Sequence, residues 1–498
     1  MKVLENFESA LGRKLGFKGR RRLRLFPHAF EGANAFYDPE LVAVLFGYFT
    51  ADETDPGPNL PGQTVFTCLS HDVIAHEVTH ALVDRLRPHF LEASNRDVLA
   101  FHEGFSDVVA IFQHFSFREI LADTIQRQRS DLRSPNVLGQ LAQQFGYATG
   151  MGEALRSALE DAEPDPRLYQ IALEPHERGS ILVAAVFDAF FRVYQDRIQD
   201  LIRIATGGTG RLPDGDLHPD LVNRIAAEAN KTAQNVLTMC LRAFEYLPPV
   251  DVTFGDFLRA LVTADYETVP GDERGLRAAM IESFRMRGVY PEGVVSLAEE
   301  SLLWTDVESE GLQLPFDPFR EALVVSAQAF DRGPQPSAAR REAEDRRSLG
   351  AWAAQLRRFA DRNRSRLGLA PRVPVDLAGF HTVFRFSPQG RLLVELVAQF
   401  TQEDRGARDD PGLGGSRVMG GVTVIASAEG RVRYVIAKPL TAERREAQRA
   451  FVGLCDRDDA MLAWGPQGYE AGRMRLRNFA GLHRGRRGGL PPGRRDHR

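Results

Sequence analysis

The pentapeptide HEVTH at residues 76–80 constrains this chain more than any other stretch of its sequence. Apolar residues recur at helical spacing across residues 70–86, which predicts a helix. On a helix, residues four apart differ by about 400° in angular position, so His76 and His80 share one face, one turn apart. Both imidazoles can then reach a single metal ion, and Glu77, rotated by about 100°, can address a water held by that ion.

The pattern is rare enough to favour a function. Histidine occurs 12 times in 498 residues, and at that frequency chance predicts about 0.02 matches in a chain of this length. The alternative is a coincidental pair of solvated or capping histidines. Two histidines, a third protein ligand and one open position make up the catalytic type of zinc site rather than the closed structural type.

Three classes of zinc site differ in the third ligand. The class HExxHxxGxxH is excluded, because the chain has Val83 and Leu86 where glycine and histidine would be required. The second class uses a downstream aspartate, and the third uses a glutamate on a following helix. A helix is predicted for residues 98–115, and in it HEGFSD supplies Glu103, with Asp107 one turn further on. Asp107 is spaced to accept the second ring N–H of a ligand histidine, although a helix-terminal acid and a cap remain the alternative for this pair.

DVIAHEVTHALVD followed by HEGFSD resembles the thermolysin-like zinc metallopeptidases, the zincins whose third ligand is a glutamate (gluzincins). The resemblance covers about residues 25–292. It implies an α+β fold in which residues 1–120 form an N-terminal lobe with the HExxH helix and residues 121–292 form a mainly helical lobe. It also implies a zinc metallopeptidase that hydrolyses peptide bonds, either an endopeptidase or a closely related aminopeptidase.

The resemblance assigns a ligand set and a base. It implies that His76, His80 and Glu103 bind one zinc ion per chain, with Asp107 orienting a ligand from behind. Glu77 is implied as the general base that deprotonates the attacking water and passes the proton to the leaving amine.

Motifs on either side of the metal motif extend the resemblance. Asn34, Ala35 and Tyr37 belong to an Asn-Ala-aromatic-aromatic segment, which is similar to the family's edge strand that pairs with the substrate backbone. Arg156 in GEALRS corresponds to an arginine that orients the substrate, and His176 in PHERGS to a catalytic histidine that stabilises the oxyanion. A lone histidine before a helix is also often a cap, and a lone arginine is often a salt-bridge partner, so these alternatives stay open.

The chain departs from the family pattern at several positions. The family has a tyrosine about eleven residues after the second histidine, whereas this chain has His89 nearby, which either replaces the tyrosine or leaves that donor missing. His102 precedes the predicted glutamate ligand, where it could orient His80 or compete as a ligand. Gln113 and His114 stand where acidic calcium ligands would be required, so zinc is expected and calcium is not.

Beyond the resemblance the sequence predicts architecture only. Residues 293–335 are Pro-punctuated and predict a linker or strap, and residues 336–480 predict an α+β accessory domain. In that domain a charged helix is followed by the alternating segments HTVFRFS, GRLLVELVAQFTQ, GGVTVIASA and GRVRYVIAKPL, which are typical of an antiparallel sheet. His381 in this sheet is expected to be structural. Residues 481–498 are rich in arginine and glycine and predict a disordered basic tail.

Charge and hydropathy limit the partners. Lys+Arg 63 against Asp+Glu 67 gives a net charge of -4, which argues against a nucleic-acid binder. The longest apolar stretches, residues 41–49 and 181–191, are too short to span a bilayer, and the first residues lack the apolar core of a secretory signal. Three cysteines without metal-type spacing are expected to be reduced. We therefore expect a cytoplasmic protein with a peptide or protein substrate, and the oligomeric state stays open.

The missing tyrosine and the missing secretion signal also motivate a second hypothesis. In this alternative the chain is a non-catalytic or highly restricted zincin-fold protein that binds peptides as a scaffold.

Overall fold

The computed structural model describes residues 2–16, 22–54, 56, 59–127, 164–212, 216–315, 353–386, 392–455, 469–470, 475–476 and 479–484. These residues form a mixed helix and sheet structure with antiparallel pairing, which agrees with the expected α+β class at that level.

A small sheet near the start of the chain follows the first helix. Its elements are α1 (Lys2–Leu11), β1 (Arg24–Glu31), β2 (Ala35–Asp38), β3 (Ala43–Thr50) and β4 (Thr64–Phe66). Strand β3 is central: it pairs in parallel with β1 and antiparallel with β2 and β4. In the β2–β3 pair, Ala35 lies opposite Phe46 and Tyr37 opposite Val44, so β2 has one edge that β3 does not cover.

Helices build most of the middle of the chain. They are α2 (His71–Leu86), α3 (Arg96–His114), α4 (Arg118–Arg127), α5 (Leu168–Ile171), α6 (Pro175–Ala205), α7 (Pro219–Ala243), α8 (Phe254–Tyr266), α9 (Leu276–Met286) and α10 (Glu299–Leu302), with short 3-10 helices at Thr67–Leu69, Pro88–Leu91 and Phe244–Tyr246. Helices α2 and α3 confirm the helices predicted at residues 70–86 and 98–115. The described part of residues 121–292 contains helices and no strand, as expected for that lobe.

A second sheet follows the helices. After a helix at residues 353–362 (α11), it contains β5 (Asp376–Phe386), β6 (Leu392–Asp404), β7 (Val418–Ser427) and β8 (Val432–Lys438), followed by α12 (Ala442–Cys455). Each strand pairs antiparallel with the next in sequence, which confirms the predicted antiparallel sheet. The short strands β9 (Tyr469–Glu470) and β10 (Arg475–Leu476) pair with each other.

The second sheet shares its core with the helices. Val383, Val397 and Ile425 on one face pack in the same buried cluster as the helices, whereas the other face packs on Leu356 and Phe359 of α11. The hydroxyl of Thr423 in β7 also donates to the backbone carbonyl of Leu247, just after the 3-10 helix Phe244–Tyr246, at 2.7 Å. The helices and the second sheet, which lie on either side of the predicted linker at residues 293–335, therefore share one buried core. Residues 316–335 of that linker lie outside the described part.

His381 of β5 is a structural residue. Its Nε2 lies 2.7 Å from Oε2 of Glu245, which also binds Arg13. The interaction joins the second sheet to the residue pair that follows α1 and α7, since Arg13 lies just after α1 and Glu245 in the 3-10 helix after α7.

Residues 479–484, near the end of the described part, correct the expectation of a disordered tail from residue 481. Ala480–Arg484 form a short helix, α13, and Phe479 and Leu482 pack in a buried cluster with residues of α2 and β2. The prediction of disorder from residue 481 is therefore wrong for residues 481–484, because apolar side chains within the basic segment find buried partners. Residues 485–498 lie outside the described part. None of the described helices is both long and apolar enough to cross a membrane.

Candidate metal centre

Helix α2 buries the residues of the HEVTH motif. The hydroxyl of Ser70 accepts a hydrogen bond from the backbone N–H of Val73 and so caps the helix. His76, Glu77 and His80 then fall on its buried side. Burial of two histidines and a glutamate costs free energy unless they are paired or bind a cation, which makes this helix the place to look for a ligand.

Helix α3 brings a carboxylate to the two histidines. Glu103 Oε2 lies 3.3 Å from Nε2 of His76, and Glu103 Oε1 lies 3.6 Å from Nε2 of His80. One turn further along α3, Asp107 Oδ1 lies 2.7 Å from Nδ1 of His76. Asp107 can accept the Nδ1 proton of His76, which directs the Nε2 lone pair of that ring towards His80 and Glu103.

The second histidine can take the same tautomer. Nδ1 of His80 lies 3.0 Å from Oγ of Ser106, whose hydroxyl donates to the backbone carbonyl of His102 and so leaves a lone pair to accept from His80. With both rings protonated on Nδ1, the Nε2 atoms of His76 and His80 present two lone pairs 2.9 Å apart. Lone pairs at this distance repel each other, and a cation between them turns the repulsion into attraction.

The spacing of the donor atoms fits one tetrahedral ion. The Nε2 atoms of His76 and His80 lie 2.9 Å apart, and the two oxygens of Glu103 lie 3.3 Å from Nε2 of His76 and 3.6 Å from Nε2 of His80. Bonds of about 2.0–2.1 Å to a tetrahedral zinc ion place neighbouring ligand atoms about 3.3–3.4 Å apart. Imidazole nitrogens with a carboxylate oxygen are ligands that suit zinc.

More buried side chains converge here than the sequence predicted. Two overlapping sets have ligand atoms that all lie within 4.8 Å of one another: His76, Glu77, His80 and His483, and Glu103, His176 and His483. We call these six residues the metal cluster. The structure thus brings together every predicted ligand, the predicted base and His176, and it adds His483.

Helix α6 delivers His176 to the metal cluster. His176 lies in the first turn of α6, with Nε2 3.2 Å from Oε2 of Glu103 and Nδ1 2.7 Å from Oε1 of Glu174. Glu174 is the helix N-cap, because its carboxylate accepts from the backbone N–H of Glu177. The capping carboxylate holds the imidazole with its second nitrogen aimed at the cluster.

A buried ion pair fixes α6 against α3. Arg178, two residues after His176, binds Asp97 at 2.5 Å and donates to the backbone carbonyl of Ala172. Asp97 also accepts from the backbone N–H of Phe254 at the start of α8. Three helices are therefore tied together directly beside the cluster.

Strand β2 lies along the metal cluster, as expected for the segment that contains Asn34, Ala35 and Tyr37. The backbone N–H of Tyr37 donates to Oε2 of Glu77 at 2.9 Å, so the uncovered edge of β2 faces the predicted base. The side chain of Asn34 accepts from the backbone N–H of Ala35, at the start of the strand. Arg156, the remaining predicted substrate residue, lies outside the described part of the chain.

Two further histidines take different places. His102 Nδ1 lies 2.9 Å from Nδ1 of His80, on the side of that ring away from His76, so His102 orients the ring. His89 lies in a 3-10 helix, 3.1 Å from Glu92, and is not among the converging ligand atoms. These contacts leave both alternatives for His89 open: it replaces the tyrosine of the thermolysin-like pattern, or that donor is missing.

Burial and charge prepare the cluster for a cation. Burial lowers the pKa of His80 well below its usual value, against the effect of Glu103, and lowers the pKa of His102 to about 3. Burial works to raise the pKa of Glu103, but the surrounding His176, His80 and His483 outweigh it and hold that pKa well below its usual value. A neutral His80 beside an ionised Glu103 is the pair of protonation states that metal binding requires.

His483 is the residue that the sequence did not reveal. It lies in α13, is buried, and places Nδ1 3.2 Å from Oε1 of Glu77 and Nε2 3.6 Å from Oε1 of Glu103. The available signal was local: Phe479, Leu482 and His483 lie three and four residues apart, as on one face of a helical turn. The surrounding arginines and glycines concealed it.

Comparison of the chain with protein-family models, with curated proteins and with solved structures finds no match. The function has to be inferred from the cluster and its surroundings.

Proposed function

We propose that this chain is a zinc-dependent metallopeptidase with a thermolysin-like arrangement of its catalytic lobe. The observation that carries the proposal is the convergence of His76, His80 and Glu103, whose donor atoms lie 2.9–3.6 Å apart, with Glu77 on the same helix. A site with three protein ligands and an adjacent carboxylate that is not needed as a ligand is suited to hydrolysis.

Zinc in such a site lowers the pKa of a water ligand and polarises a carbonyl group. Glu77 accepts the proton of the attacking water and returns it to the leaving amine, which is the work of a general base followed by a general acid. His176, directed by Glu174, points Nε2 at the cluster. When the ring carries a proton on both nitrogens, Nε2 can donate to an oxygen that gains negative charge.

The edge of β2 that does not pair with β3 supports a peptide as the substrate. An extended peptide can add to such an edge as a further strand, using main-chain hydrogen bonds that do not depend on its sequence. Tyr37 and Glu77 are joined directly by a hydrogen bond, so a peptide on this edge would run past the base.

The experiment combines metal analysis with cleavage mapping. Purified protein is expected to hold about one zinc per chain and to cut peptides of a proteome-derived library. Glu77→Gln, which keeps size and burial, is expected to retain zinc and to lose about 10²–10⁴-fold in kcat/KM. Glu40→Gln, on the exposed loop after β2, is the matched control and is expected to cleave like the wild type. If neither the zinc-loaded wild type nor zinc-loaded His483→Ala cuts any peptide in the library, the proposal is contradicted.

A second candidate function is a non-catalytic peptide-binding protein with a closed metal site. The observation that favours it is His483, since four protein ligands are typical of structural zinc. In that case the wild type and His483→Ala both fail to cleave, and a peptide binds equally well to the wild type and to Glu77→Gln.

A further inference from the structure

We infer that α13 and Phe479 form a self-inhibiting segment, in which His483 supplies a fourth ligand to the metal cluster while the backbone contacts of the segment occupy the edge of β2. The inference rests on the proposed peptidase function and concerns the regulation of the same site.

The hydrogen bonds of His483 leave one nitrogen for a metal. Nδ1 lies 2.7 Å from the backbone carbonyl oxygen of Ala35 and 3.2 Å from Oε1 of Glu77, both acceptors, so the ring proton is on Nδ1. Nε2 then has a lone pair, is buried, and has no hydrogen-bond donor among the described residues. His483 belongs to both sets of converging ligand atoms, so a metal ion is the partner that can accept the lone pair of its Nε2.

Phe479 covers one face of the His80 ring in the metal cluster. Its ring stacks on the imidazole of His80, with centroids 3.8 Å apart and planes inclined by 15°. It also contacts His102, with centroids 5.0 Å apart, and it is fully buried. An aromatic ring in this place excludes water and substrate from the face of a predicted ligand.

The segment uses the same groups of β2 that an extended substrate would use. The backbone carbonyl of Tyr37 accepts from the backbone N–H of Phe479 at 3.2 Å, and the carbonyl of Ala35 accepts from His483. The side-chain amide of Asn34 donates to the backbone carbonyl of Ala480 at 3.4 Å. A substrate strand on this edge and the segment therefore exclude each other.

The contact between His483 and Glu77 also restrains the predicted general base. Oε1 of Glu77 faces His483 and Oε2 faces the backbone N–H of Tyr37, so both oxygens of the predicted base have hydrogen-bond donors. Displacement of the segment removes the His483 contact, opens one metal position and frees the β2 edge in a single step.

The test uses full-length His483→Ala and measures the metal as well as cleavage. We expect zinc to leave the variant about 10–100-fold faster than the wild type in the presence of a chelator. The visible spectrum of the cobalt(II)-substituted protein is expected to change, because the ligand set changes. Cleavage of peptides found in the library is expected to rise at least about 10-fold. His218→Ala, which removes an exposed histidine, is the control and leaves all three unchanged.

A second variant separates loss of the ligand from loss of folding. Phe479→Ala keeps His483 but weakens the seal, and it is expected to raise cleavage while retaining the cobalt spectrum of four protein ligands. Thermal unfolding of each variant confirms that the fold persists.

The outcomes distinguish this inference from the peptidase proposal. If the wild type cleaves, and His483→Ala neither cleaves faster nor releases zinc faster, the inference is overturned and the peptidase remains. If His483→Ala releases zinc faster but neither protein cleaves any peptide, the peptidase proposal and the inhibitory role both fail, and only the fourth ligand is supported.

Discussion

Gly104 of α3 and Gly179 of α6 meet backbone to backbone: a Cβ on Gly104 would lie 2.6 Å from the carbonyl oxygen of Gly179. Glu103 is the residue before Gly104, and His176 lies one turn before Gly179. Nε2 of His176 lies 3.2 Å from Oε2 of Glu103. Only glycine permits helices to approach so closely, and the approach determines how far His176 reaches into the cluster.

Gly179→Ala is expected to push α6 away from α3. The added methyl group would lie 2.9 Å from the carbonyl oxygen of Ala100, which cannot move without moving its helix. Overpacking of this kind lowers the free energy of unfolding by about 1–3 kcal/mol, measured by urea titration. Gly453→Ala in α12, where a methyl group meets nothing within 4 Å, is the control and should be neutral or stabilising. Equal effects at the two positions would contradict the steric argument.

Asp107→Asn is expected to weaken metal binding without removing a ligand. Asparagine can still accept from His76, but the charge that strengthens the imidazole as a ligand is lost. The affinity for zinc should fall about 10–100-fold in a competition with a chromogenic chelator. Asp72→Asn removes the charge from a similar pair with His114, outside the metal cluster, and should leave the affinity unchanged. The same loss in both variants would rule out a specific role for Asp107.

Removal of the metal is expected to lower the thermal stability. A metal that binds the folded chain but not the unfolded chain at 1,000 times its dissociation constant adds about 4 kcal/mol to the free energy of unfolding. Calorimetry before and after chelation, with zinc added back, measures this difference. A midpoint that does not respond to zinc would show that the cluster binds no ion under these conditions.

Asp251 makes the stability depend on pH. It binds Arg444 at 2.6 Å and accepts from Ser94 and Asn95, which links α12 to the start of α3. Burial works to raise the pKa of Asp251, but Arg444 and Lys438 outweigh it and lower the pKa below its usual value.

The sign of that dependence follows from the lowered pKa. Because the folded pKa lies below the unfolded one, the stabilisation is fully present above about pH 4 and is lost as the pH falls through the folded pKa. Asp251→Asn, which also tolerates the left-handed backbone at this residue, should cost on the order of 1–3 kcal/mol at pH 7 and less at pH 3. Denaturant titrations at both pH values provide the measurement, and a penalty that does not shrink in acid would contradict this assignment.

Local patterns predicted the helices and the spacing of the metal motif. His76 and His80 are four apart, and Glu103 and Asp107 are four apart, so helical geometry alone brings each pair onto one face. What the sequence could not show is how separate helices approach, which depends on contacts such as that between Gly104 and Gly179.

His483 shows the limit most clearly. It lies more than 400 positions after His76 along the chain, and most of the residues around it are arginines and glycines, so the helical spacing is limited to one turn. Its place depends on the packing of Phe479 and Leu482 against elements from the other end of the chain. Composition describes a segment by itself, whereas residues 479–484 are ordered by their contacts with residues of α2 and β2.

The position of His483 along the chain also sets an order of events during synthesis. The other members of the metal cluster are complete once His176 has been added, and His483 follows 307 residues later. Translation at about 5–20 residues per second separates these two moments by roughly 15–60 s. A nascent chain thus carries the three predicted ligands before His483, the proposed fourth ligand, has been added, and we expect that an ion can be acquired in that interval.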